Sequence, residues 1–237
     1  MTLQEAIETR HSVRNYKAQP LSEDVALVLK DKIEELNRVG KLHMQLVQNE
    51  PKAFQNFFAK YGKFSNVTNY IVMAGRKAED LDERLGYYGE QIVLLAQTLG
   101  LNTCWAGLSY SKVPGTYVLN EGETIQAYIS IGYGATQGVT HKIKSMSQVS
   151  NADEQTPDWF NRGVTAALLA PTAINQQKFF FQFIPATGRA KPLVKAKRIF
   201  SLVGFTQMDL GISKYHFEIG AGIENFEWFF PPLLGNY

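Results

Sequence analysis

The feature that most constrains this chain is an alternation of helix-like and strand-like apolar segments that occurs twice. Each half contains a helix, a strand, a polar segment, a second strand and another helix. Leu85-Gly86 begins the last helix of the first half and Leu210-Gly211 begins its counterpart, with Ala96 and Ala221 at matching distances. The repeat is faint, and chance similarity between two αβ segments would produce the same pattern. The sequence therefore leaves duplication open, but it places helices and strands together in both halves.

The spacing of apolar residues predicts the individual elements. Helices are predicted over residues 3–10, from Ser22 to Leu36, over residues 85–99, from Asp158 onward and over Met208–Gly220. Strands are predicted over residues 42–47, 70–74, 124–133, Phe179–Ile184 and 199–204, and the basic segment Lys191–Arg198 resembles a hairpin arm. The polar stretch 145–157 is the best linker. It divides the chain into predicted domains 1–150 and 151–237.

Length and cysteine usage limit how such a chain is held together. With 237 residues, the chain can bury roughly 70–75% of its unfolded surface, so it needs neither disulfides nor structural metals. The single cysteine, Cys104, excludes an internal disulfide and a multi-cysteine metal site. Four scattered histidines without an HExxH motif give no support for a metal site, and none is predicted.

Charge and hydropathy limit the partners. Lys+Arg 24 against Asp+Glu 22 gives a formal net charge of +2, which is too balanced for a dedicated nucleic-acid-binding protein. No apolar run is long enough to span a membrane, and the N-terminus does not resemble a secretory signal. We therefore expect a cytoplasmic protein without nucleic-acid or membrane partners, in which Arg189–Arg198 is a solvated hairpin. The apolar C-terminal run 227–234 packs either on the core or on a neighbouring subunit.

The densest polar cluster is the segment Arg10-His11-Ser12-Val13-Arg14. In extended backbone, Arg10, Ser12 and Arg14 would point to one side. Arginine binds phosphate through two parallel hydrogen bonds, and a hydroxyl can satisfy a further oxygen. The alternative is a solvated basic turn after a short helix.

Three further segments carry candidate binding groups. Ala170–Gln177 is an amide-rich loop that follows an alanine-rich helix, and carboxamides both donate to and accept from a heteroaromatic edge. Cys104–Leu108 combines small residues with a glycine, which allows close approach of a flat ligand. His141–Lys144 offers two lysines on one side of an extended segment. An ordinary αβ turn, a buried tryptophan in a strand and a surface basic run are the respective alternatives.

Together these segments resemble the FMN-dependent nitroreductase family. RHSVRNY is similar to that family's N-terminal RxSxR motif, and APTAINQQKF is similar to its APSxxNxQPW loop, with Thr172 in place of serine. LLAQTLGLNTCWAGL and ISIGYG…HKIK are similar to its helix-to-glycine segment and to its penultimate strand with a basic phosphate contact. The resemblance implies an α+β fold of mixed, mainly antiparallel sheets flanked by helices.

The resemblance also implies FMN as cofactor and NADH or NADPH as electron donor. The implied cofactor-binding residues are Arg10, His11, Ser12, Arg14, Trp105, Ala106, Gly107, Leu108, His141, Lys142, Lys144, Pro171, Thr172, Ala173, Asn175 and Gln177. Arg10, Lys142 and Lys144 would bind the phosphate, with Ser12 assisting. Asn175 and Gln177 would meet the ring edge, and Trp105–Leu108 would back the ring. Arg14 would stabilise the charge on the reduced flavin, which carries the chemistry itself.

The chain departs from the family pattern in one respect. The APSxxNxQ loop usually follows RxSxR by a few tens of residues, but residues 33–40 lack it and the loop occurs near residue 170. The usual family member is a homodimer with flavins between its subunits. We therefore expect an internal pseudo-dimer in which the second half completes one FMN site per chain. A monomer would suffice for that site, and dimerisation through other surfaces stays possible.

The expected function is reduction of nitroaromatics, quinones or similar small-molecule electron acceptors. The sequence does not identify the physiological acceptor. Two alternatives remain open. One is a nitroreductase-fold enzyme of different chemistry, such as dehalogenation or flavin destruction. The other is a catalytically decayed flavin-binding or interaction protein. Flavin content and NAD(P)H oxidation discriminate among them.

Overall fold

The computed structural model describes residues 1–230 and divides into two compact units. The four-stranded unit comprises Arg10–Leu81 and Ile92–Thr140, and the three-stranded unit comprises Met1–Thr9, Asp82–Gln91 and the described part of His141–Tyr237. These units are interleaved along the chain, because each takes part of one long helix, whereas the predicted halves 1–150 and 151–237 are consecutive. The functional roles assigned to those halves stay a prediction.

Helices and mainly antiparallel strands make up both units, which confirms the predicted α+β class. The helices are α1 (Leu3–Thr9), α2 (Glu23–Gly40), α3 (Phe57–Tyr61), α4 (Leu81–Thr98), α5 (Met146–Val149), α6 (Asp158–Leu168) and α7 (Thr206–Ala221). The strands are β1 (Gln45–Val47), β2 (Tyr70–Arg76), β3 (Asn102–Ala106), β4 (Glu123–Gly132), β5 (Phe179–Ile184), β6 (Leu193–Arg198) and β7 (Glu227–Trp228).

The four-stranded unit is built on an antiparallel sheet with strand order β1-β2-β4-β3. Its central strand β2 is buried at six successive positions, which is why residues 70–74 are continuously apolar. Tyr128 on β4 stacks on Tyr70 and on Tyr110, with ring centroids 4.9 and 3.9 Å apart. Aromatic stacking of this kind fixes one face of the sheet beyond simple area burial.

The three-stranded unit has the order β5-β6-β7, in which β5 and β6 are antiparallel and β7 is parallel to β6. Its core is aromatic. Phe181 on β5 stacks on Phe217 of α7 at 4.7 Å, and Phe160 of α6 and Trp228 of β7 pack around Phe217. The C-terminal aromatic run therefore contributes a core residue through Trp228, while residues 231–234 lie outside the described part of the chain.

Within the three-stranded unit, the N-terminal part of α4 crosses α7 at two glycines. A Cβ atom on Gly86 would overlap the backbone carbonyl of Met208, and one on Gly211 would overlap the carbonyl of Glu83. The contacts are reciprocal, because Met208 and Glu83 each precede their own glycine by three residues. Reciprocal contacts are characteristic of elements related by a two-fold axis.

Some elements differ from the sequence predictions. The strand predicted over residues 199–204 is wrong, because this segment forms an exposed turn in which Leu202 is 95% exposed. Phe200 and Leu202 remain exposed to solvent, so the apolar pattern that suggested a strand does not correspond to burial. The sequence analysis missed α3, α5 and β7, which are too short to display a period, and gave β3 only as the alternative interpretation of Cys104–Leu108. No helix in residues 1–230 is long and apolar enough to cross a membrane.

The helix crossing predicts that Gly211→Ala strongly destabilises the protein. The added methyl group meets backbone rather than a flexible side chain, so the helices must separate, at a cost of at least about 2 kcal/mol. Gly100→Ala is the matched control, since its surroundings are open and only its positive φ of 76° opposes alanine. That control should lose about 1 kcal/mol. Equal losses in urea unfolding would contradict the account of the crossing.

Candidate functional site

The Arg10–Arg14 segment lies along the edge strand β3 in the four-stranded unit. Ser12 forms a parallel bridge with Thr103, and the Val13 amide donates to the Thr103 carbonyl at 3.0 Å. Val13 is buried in the core, so the extended backbone fixes which residues point the other way. The local structure is therefore an added extended segment and not a solvated turn.

The three polar residues of this segment all act on one buried group, the Cys104 thiol. Burial raises the pKa of Cys104, while the Arg14 charge, a hydrogen bond from Ser12 and the Arg10 charge lower it. Arg10 is 4% exposed, whereas Arg14 is exposed and its guanidinium lies 5.9 Å from the Phe64 ring centroid. That Arg10, Ser12 and Arg14 all point to one side of the segment stays a prediction.

His11 is half-buried beneath a loop of the same unit. A Cβ atom on Gly138 would lie 2.6 Å from the His11 Cβ, and Gly138 has a φ of 74°. Glycine is required there both by space and by backbone conformation. His11 therefore packs against backbone, and its contact with a cofactor stays a prediction.

The predicted ring-backing segment follows β3 to its end. Ala106 is buried, Trp105 and Gly107 are half-buried, and Leu108 beyond the strand is 76% exposed. Register with β4 places Trp105 opposite Ile129. The structure thus groups Trp105–Leu108 with the Arg10–Arg14 segment in the four-stranded unit, through the Ser12–Thr103 bridge.

The amide-rich loop lies in the three-stranded unit and has an unusual backbone. Ile174, Asn175 and Gln177 all have positive φ, between 45° and 58°. Non-glycine residues in this region carry strain of about 1–3 kcal/mol each and persist only where the surroundings enforce them, often at functional sites. Pro171, Thr172 and Ala173 precede these residues and are half-buried.

The side chains of this loop hold the neighbouring basic segment. Asn175 Nδ2 and Gln177 Nε2 both donate to the Lys142 carbonyl, at 2.7 and 2.8 Å. Gln177 Oε1 accepts from the Lys144 amide, and Gln177 is 2% exposed. The side-chain amide of Gln177 thus binds the backbone of the basic segment, which favours a role in positioning that segment. Its contact with a flavin ring stays a prediction.

The basic segment in turn holds the loop. Lys144 Nζ donates to the carbonyls of Gln176 and Gln177, at 2.8 and 2.7 Å. Burial and the nearby Lys178 charge lower the pKa of Lys144. The His141 ring lies 3.0 Å from the Leu168 carbonyl, and the Lys142 side chain is exposed. The structure therefore brings the Lys142 carbonyl, Lys144, Asn175 and Gln177 into contact, while their predicted roles in cofactor binding stay predictions.

Asp209, which the sequence analysis missed, fixes the other side of the same loop. This residue lies in the first turn of α7, where its carboxylate accepts from the Ala173 amide at 2.9 Å and from Gln176 Nε2 at 2.6 Å. Burial raises its pKa to about 6, although both hydrogen bonds oppose this shift. An aspartate in a first helical turn resembles an ordinary capping residue, so the sequence held no specific signal for this contact.

A groove of about 920 Å³ lies elsewhere in the three-stranded unit. Its walls come from α1, α6 and the end of α7, including Glu8, Asn161, Arg162 and Gly220. None of the predicted cofactor-binding residues lines it. Within residues 1–230, no group of three or more His, Cys, Asp or Glu side chains could hold a metal ion.

Comparison with known protein families identifies the family of this chain. Residues 2–221 match a family model described as "Putative TM nitroreductase". The chain belongs to this family. The resemblance stated from the four sequence motifs is therefore confirmed over nearly the whole chain, and with it the nitroreductase-like fold.

One of the solved structures to which this family member is similar has the same fold. A "putative nitroreductase" from Thermotoga maritima is 24% identical, with a TM-score of 0.62 over 93% of this chain and 83% of that chain. A "Putative NADH dehydrogenase/NAD(P)H nitroreductase" from Parabacteroides distasonis is 19% identical, with a TM-score of 0.46 over 62% of this chain and 95% of that one. A "putative nitroreductase in complex with FMN" from Desulfovibrio desulfuricans is 15% identical, with a TM-score of 0.47 over 66% and 99%. The last two are too distant to support further argument. No curated protein matches the chain significantly.

The loop contacts predict a distinctive pH dependence for Asp209→Asn. The folded protein binds a proton at Asp209 more tightly than the unfolded chain does, with a pKa of about 6 against 3.8. This group therefore stabilises the folded state less as pH rises from about 4 to about 6, by roughly 2–3 kcal/mol. The asparagine variant lacks this titrating group. The unfolding free energy of the variant minus that of the wild type should therefore rise between about pH 4 and pH 6 and stay constant above pH 6.

The exposed Asp158, in the first turn of α6, provides the matched control. Asp158→Asn should show no comparable gain relative to the wild type. Urea unfolding at a series of pH values measures all three proteins. A pH-independent difference between the wild type and Asp209→Asn would show that Asp209 does not carry the buried charge inferred here.

Proposed function

We propose that this chain is an FMN-dependent oxidoreductase of the nitroreductase type, which takes electrons from NADH or NADPH and reduces a small electron-poor acceptor such as a nitroaromatic or a quinone. One observation carries the proposal. Arg10, Ser12 and Arg14 belong to one segment that joins the edge of β3 through the Ser12–Thr103 bridge, with the buried Val13 between Ser12 and Arg14. Their sequence resembles the family's RxSxR motif, and the family model matches this chain over residues 2–221.

The chemistry of these donors fits a flavin phosphate. Each arginine presents a planar fork of N–H groups that suits two phosphate oxygens, and the Ser12 hydroxyl could donate to a further oxygen if it turned away from Cys104. The extended backbone and the buried Val13 hold the donors in fixed directions. Such preorganisation lowers the entropy cost of binding. In the proposed complex, Arg10 and Ser12 contact the phosphate or the ribityl chain.

The loop group of the three-stranded unit offers a second set of donors. Lys144 uses two of its three N–H donors on the Gln176 and Gln177 carbonyls, and the Lys142 side chain is exposed. Asn175 Nδ2 spends one N–H on the Lys142 carbonyl, so one remains for a ring acceptor. Lys142 and Lys144 are proposed as phosphate contacts and Asn175 as the ring-edge contact.

Bound FMN would supply the hydride and electron chemistry. The protein's contribution is electrostatic. Arg14 is exposed beside the buried Cys104 and carries a fixed positive charge, which would stabilise the negative charge of the reduced cofactor. Trp105–Leu108 would form a wall against the ring. No acid–base pair from the chain is needed for this role.

We further propose that the chain is an internal pseudo-dimer with one FMN site, completed by the second half. The reciprocal contacts of Gly86 with Met208 and of Gly211 with Glu83 support the duplication, because a homodimer interface would generate the same pairing. Mixing a chain carrying Arg10→Ala with one carrying Asn175→Ala tests the proposal. Recovery of normal flavin affinity on reassociation would show that chains share sites and would refute it.

The proposed enzyme should show two linked reactions. The FMN-loaded protein should lose its flavin absorbance when NADH or NADPH is added without oxygen, and a quinone or nitroaromatic should restore it. Stopped-flow absorbance measures both half-reactions. Bound FMN that neither cofactor reduces would instead favour a catalytically decayed flavin-binding protein, and reduction without reoxidation by these acceptors would favour different chemistry.

Replacing Arg10 should weaken FMN binding. Arg10→Ala removes a charge-assisted pair of hydrogen bonds, which costs roughly 1.5–3 kcal/mol, or about a tenfold to a hundredfold loss of affinity. Arg10→Lys keeps the charge without the fork and should give an intermediate loss. Lys30→Ala, at an exposed position on α2, is the control. Fluorescence titration measures the affinities, and wild-type affinity in a folded Arg10→Ala protein would remove Arg10 from the site.

Replacing Arg14 should change the flavin's potential more than its binding. Arg14→Gln removes the cation proposed to stabilise the reduced cofactor, so the midpoint potential should fall while FMN stays bound. Equilibration with a reference dye measures the potential. An unchanged or higher potential would show that Arg14 has another role.

A further inference from the structure

The second half of the chain has a pronounced charge asymmetry that the proposed function does not use. No aspartate or glutamate occurs between Asp158 and Asp209, although the whole chain has a net charge of only +2. This interval contains the cations Arg162, Lys178, Arg189, Lys191, Lys195, Lys197 and Arg198. Because the rest of the chain has an excess of acidic residues that offsets these seven cations, the small overall charge conceals a locally positive segment.

Three of these cations lie together at one end of β5 and β6. Lys197 and Arg198 are exposed at the end of β6, where Arg198 pairs with Phe179. Lys178 precedes Phe179, and its carbonyl accepts from the Ile199 amide at 2.8 Å. The backbone therefore holds Lys178 beside the point at which the chain leaves the strand.

The turn that follows exposes large apolar side chains. Phe200 is 80% exposed, Leu202 is 95% exposed and Val203 is 44% exposed. The turn is ordered by hydrogen bonds from the Gly204 amide to the Ser201 carbonyl and from the Val203 amide to Ser201 Oγ, both 3.3 Å. The exposed apolar surface is therefore a defined structural feature, continuous in the chain with the cations. We call Lys178 and Lys197–Val203 the basic tip.

Within residues 1–230, the next acid along the chain and the acid on the neighbouring strand β7 are both directed or placed away from this surface. Asp209, the next acid along the chain, is 3% exposed and is bound to Ala173 and Gln176. Glu227 on β7 is opposite Leu193, at the other end of β6 and about 16 Å along the strand from Arg198. Exposed apolar groups flanked by uncompensated cations are the combination that binds an anionic lipid surface.

We propose that the basic tip is a membrane-surface docking site for anionic phospholipid bilayers. Phe200, Leu202 and Val203 enter the boundary between headgroups and acyl chains, and Lys178, Lys197 and Arg198 contact the anionic headgroups. The protein would lie on the membrane without crossing it. Two weak signals, apolar insertion and charge, together suffice for stable but reversible binding. The aliphatic side chains Leu202 and Val203 favour lipid over nucleic acid, whose bases offer stacking partners for aromatic rings.

Vesicle sedimentation tests the proposal with the full chain. The protein should sediment with vesicles of phosphatidylcholine mixed with phosphatidylglycerol, but not with phosphatidylcholine alone, and added salt should weaken binding. Leu202→Ser and Lys197→Glu should each reduce binding by about tenfold. The matched controls are Leu27→Ser, at an exposed leucine of α2, and Lys30→Glu, which should bind like the wild type.

A second measurement reports insertion directly. In Leu202→Trp, tryptophan emission should shift to shorter wavelength with anionic vesicles only, because the indole leaves water. Absence of binding to anionic vesicles would overturn the proposal. So would binding that Leu202→Ser does not weaken, which would indicate a purely electrostatic surface, or tighter binding to duplex DNA than to these vesicles, which would indicate a nucleic-acid surface. All these readouts are independent of FMN.

Discussion

The backbone contact between α4 and α7 is the constraint on which the three-stranded unit depends. At Gly86 and Gly211 the helices approach so closely that no side chain fits between them. This approach positions the rest of α7, so Asp209 reaches the amide-rich loop and Phe217 reaches the aromatic core. The close approach at Gly86 and Gly211 therefore helps to position the Asp209 carboxylate and the Phe217 ring.

The amide-rich loop shows how a strained backbone can be kept in one conformation. Its three left-handed residues are enforced from two sides, by the Asp209 carboxylate and by the Lys144 ammonium group. Both charges are partly or fully withdrawn from water, which strengthens their hydrogen bonds and makes their loss costly. In the proposed enzyme, this reinforcement would hold Asn175 ready for the cofactor without reorganisation during turnover.

The sequence predicted the long elements well because their periods are long enough to be read. It placed β5 at its observed bounds and located α4, β2 and β4 closely. It also predicted an extended backbone at Arg10–Arg14, and the Ser12–Thr103 bridge agrees with this at Ser12. The sequence could not predict that Asp209 binds the amide-rich loop, or that the Gln177 side chain binds the backbone of Lys142 and Lys144. Both sets of contacts join segments that are distant in the chain. The strand predicted at 199–204 failed because apolar character does not by itself provide a partner to pack against.

The most direct test of the central claim is the stoichiometry of FMN binding to the purified chain. Titration followed by visible absorbance and ultrafiltration should give one tightly bound FMN per chain, and NADH or NADPH should reduce that FMN without oxygen. This result would support a single redox site per chain, to which Arg10, Ser12 and Arg14 are proposed to contribute. Failure to bind FMN at all would contradict the proposed enzyme, and two FMN per chain would contradict the single-site pseudo-dimer.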